Sequence, residues 1–199
     1  MILGLDLQGT RLGWALLTQG GDLHDAGVIH LGRREEPGVR RGTTRRVEVP
    51  ALRAWDIRRR VETLLETRHA GGYVRTVAYE KVRYHGLGQV ESAHLWGAAE
   101  MAVLEAVYRH GLVMGSVELR QVGVSAAKLA LTGNGGADKP AMALAAAKRW
   151  PAARVDWSAG DHDAADAAGV ALSVIAPGES KAAKAKRLAA ERRAARGAA

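Results

Sequence analysis

The chain opens on a short apolar run, Ile2-Leu3-Gly4-Leu5-Asp6-Leu7, interrupted by one acid. A run of this length bounded by glycine predicts a buried strand. Residues 12–17 read as a second strand, joined to the first through a tight Gly9-Thr10-Arg11 turn. Residues 22–31, apolar at Ala26, Val28 and Ile29, read as a third. Three early strands with short connections predict an antiparallel meander. Residues 33–49 are arginine-rich, show no hydrophobic period and read as a loop. Pro50 then opens a helix to about residue 68, with Ala54, Ile57, Val61, Leu64 and Leu65 on one face. Gly71-Gly72 breaks it. Residues 73–79 form the next apolar strand, ending at Glu80, and residues 84–88 read as a glycine-containing loop.

A helix follows over residues 90–110. Its apolar face (Leu95, Ala98, Ala99, Ala102, Val103, Ala106, Val107) is rich in small residues, which predicts close packing on the sheet or on a partner subunit. Residues 112–119 read as a fifth strand, 124–131 as a short helix, 132–136 as a turn and 138–149 as a helix. The last helix starts within residues 158–161, turns Ala167, Val170, Ala171 and Val174 inward, and ends at Pro177-Gly178. Strands first, then helices and strands in alternation, predict a layered α/β or α+β domain. The division expected is a domain over residues 1–178 and a basic tail over 179–199.

Composition narrows the class. The chain has 199 residues and no cysteine, so it builds neither disulfides nor thiolate metal sites and suits a reducing, cytoplasmic setting. No apolar run reaches the length of a membrane span. The net charge of +8 is uneven. Residues 181–199 carry seven Lys/Arg against Glu191, and residues 33–60 carry ten Arg against four acids, so each segment is near +6 and the remainder near −4. Two basic segments around an acidic body point to a polyanion, nucleic acid foremost.

The acids of that body supply candidate chemistry. Asp6 lies within a buried strand, where a carboxylate is costly unless paired or bound to a metal. Glu80 likewise ends an apolar strand. Asp163 and Asp166 are spaced i, i+3, on one face of the last helix. Each has an ordinary alternative: a bond to a turn amide for Asp6, favourable placement at a helix N-terminus for Asp161 or Asp163. Together, four hard oxygen donors converging at one sheet edge suit Mg²⁺ or Mn²⁺. Two such ions about 4 Å apart can clamp both oxygens of a phosphodiester displacement. His162, between these acids, has the chemistry to ligate metal or move a proton, but reads rather as an exposed helix-start histidine. The five tryptophans read as packing rather than base-stacking platforms.

Several stretches then resemble one family. Ile2-Leu3-Gly4-Leu5-Asp6 with Gly9-Thr10-Arg11 and Gly13-Trp14-Ala15, Val77-Ala78-Tyr79-Glu80, and above all Lys128-Leu129-Ala130-Leu131-Thr132-Gly133-Asn134-Gly135-Gly136-Ala137-Asp138-Lys139 followed by Asp163-Ala164-Ala165-Asp166, are similar to the RuvC family of Holliday-junction resolvases, within the ribonuclease H-like superfamily. The resemblance runs in order over most of residues 1–176. It implies a ribonuclease H-like α/β fold with a mixed five-stranded sheet flanked by helices. It implies a magnesium- or manganese-dependent, two-metal endonuclease of DNA recombination and repair, acting as a homodimer on four-way junctions; the arginine-rich 33–49 segment and the basic tail, additions to the family pattern, extend the expected substrate to other branched DNA.

Asp6, Glu80, Asp163 and Asp166 would be the metal ligands, and water would attack in line to leave a 5′-phosphate and a 3′-hydroxyl. Lys128 and Lys139 would approach the scissile strand, and Arg11, Arg83 and Tyr84 would contact DNA. The helix from residue 90 would carry the dimer interface. Two departures stand out. Leu7-Gln8 replace the proline usual after the first Asp, and no phenylalanine follows the second acidic strand, where Arg83 and Tyr84 stand instead. Related readings are a flap or structured-RNA nuclease of the same fold, or a non-catalytic junction binder.

Overall fold

The structure is a computed structural model. It describes residues 1–7, 11–31, 35–40, 43–48, 50–66, 72–81, 90–157 and 162–176. A five-stranded sheet has the order β3-β2-β1-β6-β7. Its strands are β1 (Ile2–Leu7), β2 (Arg11–Leu17), β3 (Leu23–His30), β6 (Thr76–Glu80) and β7 (Glu118–Val122). The first three form the expected antiparallel meander, and β1, β6 and β7 run parallel.

β1 is buried at all six positions, because helices cover both faces of the sheet and a central strand then has no solvent side. On one face Leu3, Leu5, Leu7, Leu12, Leu16, Val77 and Tyr79 pack against α1 (Pro50–Glu66) and α2 (Val90–Met114). On the other, Ile2, Ala15, Leu17 and Ala26 meet α4 (Lys139–Arg149) and α5 (His162–Ile175). Ala78 and Val122 meet Val170 of α5 and Ala127 of α3 (Val124–Thr132). Tyr79 ties the first layer to the sheet: its hydroxyl donates to Glu100 Oε1 of α2 at 2.8 Å. Burial, then the bonded carboxylate, push its phenol up to about 12, so it remains a donor at neutral pH.

Two elements depart from the sequence reading, and the start of a third lies outside the described residues. Residues 33–49 are not a plain loop. They contain β4 (Glu35–Arg40) and β5 (Thr43–Glu48), an antiparallel pair forming a separate two-stranded sheet. This pair stands outside the main sheet, and its sequences EEPGVR and TTRRVE lack the apolar alternation by which a strand is recognised. The strand expected over 112–119 is displaced: α2 runs on through Leu112 and Val113, and β7 begins only at Glu118. Two adjacent apolar residues suggested a strand, yet they are 70% and 81% exposed in the last helical turn. Gly115, left-handed at φ 90, ends the helix, its amide donating to Gly111 O at 3.1 Å. β7 is a polar edge strand without an apolar run. Finally, α5 is assigned from His162, and the expected start at 158–161 lies outside the described residues. Residues 177–199, with the basic tail, also lie outside them.

Candidate active site

Alternation along two parallel strands aims the first acids. Leu3, Leu5 and Leu7 face α1 and α2, so Gly4 and Asp6 face α5. In β6, Val77 and Tyr79 face α1 and α2 while Ala78 faces α5, which turns Glu80 to the α5 side as well. β1 and β6 pair in register up to Leu5 opposite Tyr79. Asp6 and Glu80 therefore hold equivalent positions at the carboxyl ends of adjacent strands.

α5 brings the remaining acids down on this edge. Small residues let it lie close to the sheet. A side chain at Gly4 would overlap the Ala167 carbonyl, and one at Gly13 would overlap the Asp163 carbonyl. Asp163 lies in the first turn and Asp166 one turn further on. Carboxylate oxygens of Asp6, Asp163 and Asp166 all lie within 4.8 Å of one another. Asp6 is 4% exposed and Asp163 fully buried, while Asp166 is partly exposed.

Glu80 stands outside that 4.8 Å group. The contact of Gly13 with Asp163 sets the start of α5 over β1 and β2, whereas Glu80 ends β6 on the far side of β1. Arg83, Tyr84 and Asp161 fall outside the described residues.

Two cations reach Asp163 from different elements. Arg11 Nε, at the start of β2, is 3.0 Å from Oδ2, and Lys139 Nζ donates to Oδ1 at 3.2 Å. The turn before Lys139 is well tied. Thr132 Oγ1 accepts from the Asn134 amide, Asn134 Oδ1 accepts from the Gly136 amide, and Asp138 caps α4 by accepting from the Ala141 amide at 2.9 Å. Pro140 near the helix start continues this ordinary start signal. Together these bonds fix the root of Lys139 next to α5.

Burial raises the pKa of Asp166, and the charge of Asp163 adds to the rise, while Lys139, Lys128 and His162 pull the other way. The folded protein therefore holds a proton on Asp166 more readily than the unfolded chain does. In metal-free buffer, stability should fall as pH rises through the interval between the unfolded and the raised folded pKa. Above that interval ionised Asp166 costs stability. Asp166→Asn should accordingly make the metal-free protein more resistant to urea at neutral pH, with the gain vanishing in acid. Urea titrations in EDTA at several pH values check this.

The donor set fits a hard divalent cation. It offers carboxylate oxygens only, two of its three residues are buried, and Asp163 Oδ2 accepts no hydrogen bond from the described residues although Arg11 lies beside it. His162 is not one of the clustered ligands; its buried Nδ1 has no hydrogen-bond partner among the described residues.

Gly4 and Gly13 matter to this geometry although neither was a candidate on sequence grounds. Their signal was glycine inside strands, which marks close approach of another backbone.

No family model matches the chain, and no curated protein matches it by sequence. Solved structures do match. The RuvC structure of Thermus thermophilus superposes with a TM-score of 0.58 at 22% identity, covering 86% of this chain and 90% of that one. The fold is that of RuvC. T. thermophilus RuvC in complex with Holliday junction substrate gives 0.60 at 23% identity, covering 86% and 89%. The yeast mitochondrial Holliday junction resolvase Ydc2 gives 0.58 at 15% identity, covering 87% and 77%. The sheet order, and the helices that flank the sheet among the described residues, are those of the RuvC fold, and the acidic cluster sits at the carboxyl end of the first strand. Among the described residues, no helix is long and apolar enough to cross a membrane.

Proposed function

We propose that this protein is a metal-dependent endonuclease that nicks four-way junctions, and by extension other branched DNA, as a homodimer. The observation that carries the reading is the Asp6–Asp163–Asp166 cluster, two of its three carboxylates buried, on a RuvC-like fold with Lys139 bonded to it. Asp6, Asp163 and Asp166 would hold Mg²⁺ or Mn²⁺, and Glu80, at the equivalent end of β6, would supply a further carboxylate to a pair of ions. Bound divalent ions would supply a water nucleophile at neutral pH and neutralise charge on the phosphate, with 5′-phosphate and 3′-hydroxyl products.

The chain's own groups do the rest. Lys139 and Lys128 flank the carboxylates and steady the charge that builds on the scissile phosphate. Arg11, Arg83 and Tyr84 contact the strand around it, and the tail over residues 179–199, beyond a nuclease domain over 1–178, adds sequence-independent phosphate contacts.

The dimer reading is supported by α2. Its inner face is consumed by the core, yet Met101, Tyr108 and Leu112 remain 63%, 68% and 70% exposed along the outside of the same helix. Their spacing of seven and four residues puts them on one stripe. The double substitution Tyr108→Glu with Leu112→Glu should convert a dimer to a monomer in sedimentation equilibrium. The melting temperature should shift by only a few degrees, because neither side chain belongs to the core. A wild-type monomer, or a variant that stays dimeric, would contradict this placement of the interface.

The experiment that tests the reading pairs cleavage in Mg²⁺ with binding in Ca²⁺. A nuclease cuts a junction in the first and binds it in the second. A silent junction binder does only the second. Preference for flaps or structured RNA would reassign the substrate while leaving the chemistry in place.

A further inference from the structure

Arg11 is expected on DNA, but in the structure it stands against the most deeply buried carboxylate of the site. Asp163 has a side-chain exposure of 0%, against 35% for Arg11 and 47% for Lys139. A buried carboxylate beside two others needs positive charge close by. In the metal-free protein Arg11 and Lys139 supply it. The two contacts differ in kind. Lys139 donates a hydrogen bond to Oδ1 from the start of α4. Arg11 approaches Oδ2 to 3.0 Å without the alignment of a hydrogen bond, so Oδ2 keeps its lone pairs undonated to. Arg11 reaches Asp163 on a flexible, partly exposed stem, so its guanidinium can swing away from the carboxylate without moving any element of the fold.

A divalent cation sharing the oxygens of Asp6, Asp163 and Asp166 would face a guanidinium at the same carboxylate. Like charges at this range repel strongly in a partly buried site. We propose that Arg11 is a placeholder cation. It holds Asp163 while the site is empty of metal, gives the carboxylate up when a divalent ion binds, and is then available to a backbone phosphate of the DNA. Metal loading and DNA binding are thereby coupled through one side chain. The proposal rests on the nuclease reading of this site, and it assigns Arg11 a positioning role rather than a part in the chemistry.

The test begins without DNA. Mn²⁺ is titrated calorimetrically into wild type, Arg11→Gln and Arg11→Lys. Loss of the competing charge should tighten Mn²⁺ about tenfold or more in Arg11→Gln, and Arg11→Lys should stay near wild type. In EDTA, Arg11→Gln should melt below wild type, and saturating Mn²⁺ should close the gap. Unchanged or weaker Mn²⁺ binding in Arg11→Gln overturns the proposal, and Arg11→Lys separates a charge effect from mere damage to the fold.

The second readout is the salt dependence of junction binding. In Ca²⁺ the slope of log K against log[salt] should be shallower by about 1 in Arg11→Gln than in wild type, the loss of one phosphate contact. In EDTA the two slopes should coincide. The same difference in both buffers overturns the hand-off. If wild type binds Mn²⁺ with these properties but nicks no junction, the nuclease reading fails and the exchange stands. If wild type nicks junctions while Arg11→Gln binds Mn²⁺ no more tightly than wild type does, the exchange alone fails.

Discussion

Asp6→Asn should lower Mg²⁺-dependent junction cleavage by about a thousand-fold or more while leaving junction binding in Ca²⁺ intact. The side chain keeps its shape, so the change isolates charge and ligand character. One anionic oxygen is lost from a group whose three carboxylates lie within 4.8 Å. A neutral amide is a poorer ligand for a hard cation, and its NH₂ can turn toward the other acids. A deficit of about 4 kcal/mol in transition-state stabilisation corresponds to roughly a thousand-fold in rate. The fold should not suffer, because removing one negative charge relieves repulsion at a position only 4% exposed. Affinity for DNA should hold or rise for the same reason. Single-turnover cleavage and equilibrium binding, run side by side, check both halves. Loss of binding with residual cleavage unchanged would remove Asp6 from the proposed metal centre.

Gly13→Ala should damage stability and cleavage together, from a position that carries no chemistry. A Cβ there would overlap the main-chain carbonyl of Asp163. The obstacle is backbone in the first turn of α5, so no rotamer change relieves it. Either β2 or α5 must move by something near 1 Å. Overpacking of this kind costs about 3 kcal/mol, or roughly 6–12 °C in melting temperature for a domain of this size. Below that temperature cleavage should still fall about a hundred-fold, because the displaced Asp163 no longer lies in place with Asp6 and Asp166. Gly27 provides the comparison. A Cβ there meets only the Trp14 indole, at 3.2 Å or more, and a ring can give by a few tenths of an ångström. Gly27→Ala should therefore be mild in both assays. Equal melting temperatures and equal rates for Gly13→Ala and wild type would contradict the close approach of α5 to β2.

The contrast between these two sites shows what the chain made legible. Ile2–Leu7 and Thr76–Glu80 could be read as strands because burial on both faces leaves an unbroken apolar run. Their terminal acids stood out for the same reason, since a carboxylate in such a run is conspicuous. The i, i+3 spacing of Asp163 and Asp166 likewise put two acids on one face of α5. Distances between elements were not legible. The approach of α5 is governed by absent side chains at Gly4 and Gly13, which leave no positive mark in a hydrophobicity pattern. That approach sets Asp163 beside Asp6 and leaves Glu80 outside the cluster. It also brings Arg11 onto Asp163, where sequence reasoning had it only as a DNA contact. The β4–β5 pair leaves no pattern to read because its strands, EEPGVR and TTRRVE, carry no apolar alternation. The end of α2 is not legible because Leu112 and Val113 have the composition of core residues but are exposed.

The most direct test of the central claim is a synthetic four-way junction with each strand labelled in turn, incubated in Mg²⁺ and in Mn²⁺ with wild type and Asp6→Asn, beside linear duplex, flap and structured RNA. The account predicts paired nicks, symmetric across the junction in two opposing strands, with ends that ligate directly because they carry 5′-phosphate and 3′-hydroxyl, and no nicks with Asp6→Asn. Tight junction binding without cutting of any substrate in either metal, or cutting that survives Asp6→Asn, would contradict it.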